Sequence, residues 1–290
     1  MSFATPAATV RNPGRHDHIV DVLIAERAPR LAGSAAWPVV RPLLYALLDY
    51  GRARHMADAI APMTGRAALD YVSALLALEV AAQGVEHVPR QGRCVVICNH
   101  PTGIADGLAV YDVLKTIRQD VCFYANADAH RVSPRLGEVL IPVEWVEAKR
   151  TRDRMRATLT LTREALEAER CLVIFPAGRI SRRQPDGTLR DNAWMTSAVS
   201  IARKLGAPVA PIHLAGPWSA LFHFFHGVSA ELRDITLFHE LLNKRGRAFA
   251  LTAGPRISPE ALEGDPAEVT TRLQAYVEAT LPVDHARVFG

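Results

Sequence analysis

Five consecutive apolar residues, Cys94-Val95-Val96-Ile97-Cys98, run into Asn99-His100-Pro101-Thr102-Gly103 and then into a segment with helical apolar spacing. A short run with no polar residue predicts a buried strand, and the switch to a 3.6-residue period predicts a helix. A second run, Cys171-Leu172-Val173-Ile174, ends in Phe175-Pro176-Ala177-Gly178-Arg179-Ile180-Ser181. Strand signals recur near 93–98, 120–126, 140–146, 171–175, 208–214 and 247–253, with helix signals near 104–118, 153–168 and 192–205. This alternation predicts an α/β fold with a mostly parallel central sheet flanked by helices. Both loops would leave the carboxyl ends of parallel strands, where such sheets place their ligands.

Ahead of Gly84 the signals are helical: Ile19 to Ile24, Leu43 to Leu48, and the amphipathic set Leu69, Val72, Leu76 and Val80. The expected division is an N-terminal tail and helical region over 1–85, with residues 1–15 as the polar tail, and a catalytic domain over 86–290. Near the end, Ser258-Pro259-Glu260 and Asp265-Pro266 each set a capping side chain before a first-turn proline. The second opens a helix with Val269, Leu273, Tyr276-Val277 and Leu281 at core spacing.

Composition narrows the partners. With 290 residues, 49% hydrophobic and 22% charged, the chain buries a sizeable core and is not a disordered one. The net charge of +4 is mild, but basic residues, mostly arginine, cluster at Lys149, Arg150, Arg152, Arg154 and Arg156, and again at Arg179, Arg182 and Arg183. Local clusters suit an anionic small molecule or a lipid surface better than a nucleic acid track. Residues 1–20 lack the apolar core of a signal peptide. Leu205 to Ala230 carries no Asp, Glu, Lys or Arg, yet Pro208, Pro211, Gly216, Pro217 and Gly227 break it, so a single spanning helix is not expected. Cys94, Cys98, Cys122 and Cys171 all fall in strand runs without metal-ligand spacing, and read as small core residues in a reducing compartment.

The chemistry lies in the two loops. His100 leaves the first strand, and Asp106 falls in the first turn of the following helix, where a carboxylate can fold back to an imidazole. Such a pair holds the ring in one tautomer and readies it to take a proton from a hydroxyl. Gly103 marks the turn between them. After the second strand, Pro176 and Gly178 make a turn, and the arginines beyond it suit a phosphate or carboxylate. Taken singly, a satisfied polar histidine, a helix-capping acid and a solvated arginine turn remain open readings.

Together the loops resemble the glycerolphosphate (lysophospholipid) acyltransferase superfamily. Its first signature, Asn-His followed by Asp, falls on Asn99, His100 and Asp106. Its second, Phe-Pro-x-Gly with Arg and Ser after it, falls on Phe175, Pro176, Gly178, Arg179 and Ser181. Further family blocks correspond to the region of Ile141-Pro142-Val143-Glu144 and to Pro208–Ile212. The segments Ile24–Leu31 and Glu240–Gly246 are similar to a bacterial subgroup described as putative hemolysin or ornithine-lipid acyltransferase. Five residues separate His100 from Asp106 where four are usual, a spacing shared by a subgroup whose pattern Pro101, Gly103 and Gly107 also fit. Ala177 stands at the usual glutamate, and Arg179 comes one residue early.

The resemblance implies transfer of a fatty-acyl group from acyl-CoA or acyl carrier protein to a free hydroxyl of a lysophospholipid or lyso-aminolipid. His100 and Asp106 would be catalytic, and Asn99, Gly103, Arg150, Pro176, Gly178, Arg179 and Ser181 would bind substrate. Arg179 would hold the acceptor's anionic headgroup, with Arg182 and Arg183 left to solvent or bilayer phosphates. Backbone N–H groups near Gly103 or Gly178 would face the oxyanion. No cofactor or metal is expected beyond the acyl co-substrate. The expected setting is cytoplasmic, peripheral on the inner face of the cell membrane, through residues 217–230, with Trp218, Leu221, Phe222, Phe224 and Phe225, and the N-terminal helices. Two other classes stay open: a metal-dependent hydrolase drawing on His130, His213, His223 or His226, and a non-catalytic peripheral membrane or interaction protein.

Overall fold

Nine strands appear in the computed structural model, which describes residues 17–144, 151–184 and 187–290. They are β1 (Glu79–Gln83), β2 (Cys94–Cys98), β3 (Val121–Asn126), β4 (Leu140–Val143), β5 (Cys171–Ile174), β6 (Arg182–Arg183), β7 (Leu189–Arg190), β8 (Val209–Ala215) and β9 (Ala248–Ala253). Seven form one sheet in the order β1-β9-β8-β2-β5-β3-β4, and β6 and β7 form a separate antiparallel hairpin. The neighbours β8, β2, β5, β3 and β4 are parallel, whereas β9 pairs antiparallel with β8 and parallel with β1. The sheet is thus mostly parallel, with one reversed edge.

Alternation along β2 explains why its sequence is apolar throughout. Cys94, Val96 and Cys98 face a core shared with the N-terminal helices and with helix Ile104–Leu114. Val95 and Ile97 face the opposite core, which is filled by Leu166, Val199, Leu273 and Val277 from helices on the other side. A central parallel strand covered on both faces needs no polar residue. The four cysteines are free and buried in these layers. Helices Ile19–Arg27, Trp37–Leu47, Tyr50–Ile60 and Gly65–Leu76 cover the first face.

Several boundaries differ from the sequence reading. β1 was not expected, and Val80, assigned to a helical stripe, belongs to it. The sheet therefore begins at Glu79, ahead of the division drawn at 86. Its mostly exposed residues leave no period-2 signal to read. The helix expected from 192 begins at Ser197, because the N–H groups of Trp194 and Met195 bond instead to Gln274 Oε1 and the Pro176 carbonyl. Ser258-Pro259 opens only a 3₁₀ turn at Glu260–Leu262, whereas Asp265 Oδ1 accepts from the N–H groups of Ala267 and Glu268 and caps helix Pro266–Ala275. After β8 the chain forms helices Ala220–Val228, Ala230–Asp234 and Leu237–Leu242. Among the described residues no helix is long and apolar enough to cross a membrane.

Candidate active site

Parallel pairing brings the ends of β2, β5 and β8 to one edge of the sheet, so the two loops are neighbours. At the end of β2 the Asn99 amide continues the pairing with β8: Nδ2 donates to the Leu214 carbonyl at 2.9 Å, and Oδ1 accepts from its N–H at 2.6 Å. Asn99 is buried, and this clamp occupies its amide. The next residue, His100, is thereby held at the strand's carboxyl end.

The His100 ring lies against Phe175, with centroids 4.5 Å apart, and its Nδ1 is 2.8 Å from Asp106 Oδ2. Asp106 has no solvent exposure and collects three further donors: the Thr102 N–H at 2.9 Å, the Gly103 N–H at 3.0 Å and the Thr102 hydroxyl at 2.6 Å. The carboxylate sits in the first turn of helix Ile104–Leu114 and folds back on the residue that precedes it, so capping and imidazole orientation are one arrangement. A carboxylate only accepts, so Nδ1 carries the proton and Nε2 is the basic nitrogen. With a quarter or less of its side chain exposed, at 18%, His100 remains reachable while Asp106 does not.

A second acid, which the sequence reading missed, supports the same residue from its backbone side. Both oxygens of Asp191 accept from the His100 N–H at 3.1 Å. Asp191 also accepts from the Ser181 hydroxyl and, at 2.9 Å, from Trp194 Nε1. The Ser181 N–H donates to the His100 carbonyl at 2.9 Å. His100 is therefore fixed at its N–H, its carbonyl and its ring. Burial pushes the Asp191 carboxyl up, against the hydrogen bonds that favour its charge. Glu278, which accepts from the Asp191 N–H at 2.8 Å, is raised by burial as well. Burial and the charges of Asp106 and Asp191 also push the Cys98 thiol well up, so it is no competing nucleophile.

The remaining expected binding residues divide by exposure. Gly103 has φ +98°, and a Cβ there would lie 2.9 Å from Ile180 Cδ1, so the glycine lets the two loops close on each other. Its N–H is engaged by Asp106, and the Gly178 N–H donates to the Phe175 carbonyl at 3.0 Å. Both glycines' own N–H groups thus have partners within the loops. Pro176 is buried and Gly178 turns the chain at φ +61°, while Ser181 is buried against Asp191. These residues brace the loop. Arg179 is exposed at its rim. Arg150 lies outside the described residues.

The histidines of the hydrolase reading are dispersed. His213 pairs with the Val277 carbonyl at 3.0 Å, and His223 and His226 share one helix. Among the described residues no three His, Cys, Asp or Glu side chains come together as metal ligands.

The family model described as Acyltransferase matches residues 79–215, from β1 through β8. A lyso-glycine lipid O-acyltransferase of Phocaeicola vulgatus is 27% identical over 189 residues, 62% of this chain and 64% of the relative. A protein of the same name from Bacteroides thetaiotaomicron is 25% identical over 185 residues, 62% of this chain and 66% of the relative. The matched region thus spans just under two thirds of each relative's length. The crystal structure of the 1-acyl-sn-glycerophosphate acyltransferase PlsC from Thermotoga maritima aligns over 93% of this chain and 99% of its own, at 16% identity and a TM-score of 0.47.

Proposed function

We propose, from the premise that residues 79–215 are a domain of the acyltransferase family, that this protein moves a fatty-acyl group from a thioester to a free hydroxyl of a lysolipid. The 2.8 Å contact between His100 Nδ1 and the buried Asp106 carries the reading, because it leaves Nε2 basic and directed by the ring's fixed orientation. Nε2 takes the acceptor's hydroxyl proton as that oxygen attacks the thioester carbonyl. The tetrahedral intermediate then collapses, the carbon–sulfur bond breaks, and the imidazolium returns the proton to the departing thiolate. Asp106 supports the imidazolium charge without itself taking the proton. General base catalysis of this kind contributes ~10²–10⁴-fold, so the positioning of both substrates supplies much of the rest.

The donor is acyl-CoA or acyl carrier protein, and the acceptor a lysophospholipid or lyso-aminolipid. The names of the two relatives favour an amino-acid-headed lysolipid. The protein works from a membrane surface, peripherally and on the cytoplasmic side. Supporting this, Val39, Leu43 and Leu47 are exposed at four-residue spacing on helix Trp37–Leu47. Trp218, Phe224 and Val228 are exposed on and beside helix Ala220–Val228, whereas Phe222 and Phe225 point inward. Next to them along the chain, helices Pro29–Ala32 and Ala230–Asp234 are joined where the N–H groups of Arg30 and Leu31 donate to Glu231. Lipid profiles of cells with and without the protein test the reading. Its loss should remove a diacyl lipid and accumulate the matching lyso species; unchanged profiles would contradict it.

A further inference from the structure

Between the β6–β7 hairpin and helix Ala220–Val228 lies a cleft of about 460 Å³, lined by Arg182, Arg183, Trp218, His223, Phe224 and His226 among others. It adjoins the His100 loop along the chain, since Arg182 follows Ser181 and β7 leads directly into Asp191. Arg182 is half-buried, and its Nη1 is buried without a hydrogen-bond partner among the described residues. Its guanidinium stacks 5.3 Å from the Phe222 ring, and that of Arg183 lies 5.5 Å from the Trp218 ring. Aromatic faces orient guanidinium groups but do not satisfy their N–H donors.

The surrounding acids are taken. Asp234 is bonded to Arg233 at 2.7 and 2.6 Å, and Glu240 accepts from Ser219 at 2.6 Å and from Lys244 at 3.3 Å. Burial, with Arg233 and Arg179 nearby, pulls the Arg182 guanidinium below its usual range. Burial lowers His223 and His226 too, with Arg182 adding to it. His226 Nδ1 is 3.1 Å from Arg233 Nη1, and since a guanidinium only donates, the proton of the neutral ring sits on Nε2. The cleft therefore offers several donors, one of them a buried guanidinium nitrogen with no hydrogen-bond partner among the described residues, and an apolar wall.

We infer that this cleft binds the anionic headgroup, carboxylate or phosphate, of a single-chain amphiphile, with Arg182 as its anchor. The inference rests on the proposed lysolipid acceptor and assigns its headgroup to Arg182 in place of the exposed Arg179. A buried guanidinium N–H group without a partner is costly, and an incoming anion removes that cost through charge-assisted hydrogen bonds. The exposed rings of Trp218 and Phe224 continue the cleft outward and suit a chain attached directly to the headgroup. The phosphates of coenzyme A are separated from the acyl chain by a long polar arm, which fits this arrangement less well.

Calorimetric titration of the whole protein with monomeric dodecyl phosphate, N-dodecanoylglycine and monododecanoylglycerol tests it without relying on turnover. At least one of the two anions should bind about tenfold or more tightly than the neutral ester, as expected for charge-assisted bonds of about 1.5–3 kcal/mol. The tighter of the two identifies the headgroup as phosphate or carboxylate. Arg182→Gln should abolish the preference, and His100→Ala should keep it. Equal binding of all three by the wild-type protein, an undiminished preference in Arg182→Gln, or displacement of the anion by coenzyme A alone would overturn the inference. If the preference holds and no thioester is consumed, the transfer reading falls and the site stands. If transfer holds with an unchanged acceptor KM in Arg182→Gln, the site alone falls.

Discussion

Asp106 accepts from four donors, and an asparagine offers only one acceptor oxygen in its place. Asp106→Asn should therefore lower stability by about 1–3 kcal/mol through unsatisfied buried donors. It should also lower kcat by roughly 10²–10⁴-fold through loss of imidazolium support. Denaturant unfolding and steady-state kinetics measure the two effects, and a variant with full stability and turnover would show that the carboxylate does neither job. This pair was legible in the sequence because both residues flank one strand-to-helix turn. Asp191 was not, since it meets His100 from 91 positions away through a loop with no periodic signal. Asn99 and Ser181 were found by motif, but their buried bonds to Leu214 and Asp191 give them bracing roles that residue type alone does not distinguish from substrate contact.

At the level of elements, helix Pro266–Ala275 and the π-helical turn Tyr276–Thr280 that continues it reach across to the catalytic loop: Gln274 and Glu278 hold the Trp194 and Asp191 N–H groups. Burial raises the Glu278 carboxyl, so the folded state binds its proton more tightly than the unfolded chain does. Its contribution is greatest in acid, below the ordinary glutamate value of about 4.3, and is lost as pH rises through the raised folded value. Glu278→Gln should remove this component, so wild type should lose stability relative to the variant as pH rises from 4 toward 7. Urea unfolding across that range checks it; parallel stability curves would contradict it. The central parallel strands were readable because burial on both faces makes them uniformly apolar. The reversed edge was not: β1 is mostly exposed, and nothing local in β9 fixes its direction, which comes from pairing with β8. The helices after β8 were hidden because prolines and glycines punctuate that stretch, while its caps, Ser219 and Ser229, are single residues.

For the whole molecule, the exposed faces of helices Trp37–Leu47 and Ala220–Val228 form the proposed lipid-facing surface. Val39, Leu43 and Phe224 are 72%, 71% and 64% exposed, so changing them leaves the core intact. Leu43→Ser/Phe224→Ser should float with anionic liposomes several-fold less than wild type while unfolding at the same denaturant concentration; equal flotation would remove these faces from the interface. Thioester-to-hydroxyl transfer by His100 is decided by acceptor-dependent thiol release from the purified protein. With acyl-CoA or acyl carrier protein and a lyso-aminolipid or lysophospholipid, wild type should release one thiol per diacyl lipid formed. His100→Ala, with an unchanged circular dichroism spectrum, should release none above background. Thiol release that ignores the acceptor, or that persists in His100→Ala, would contradict the account.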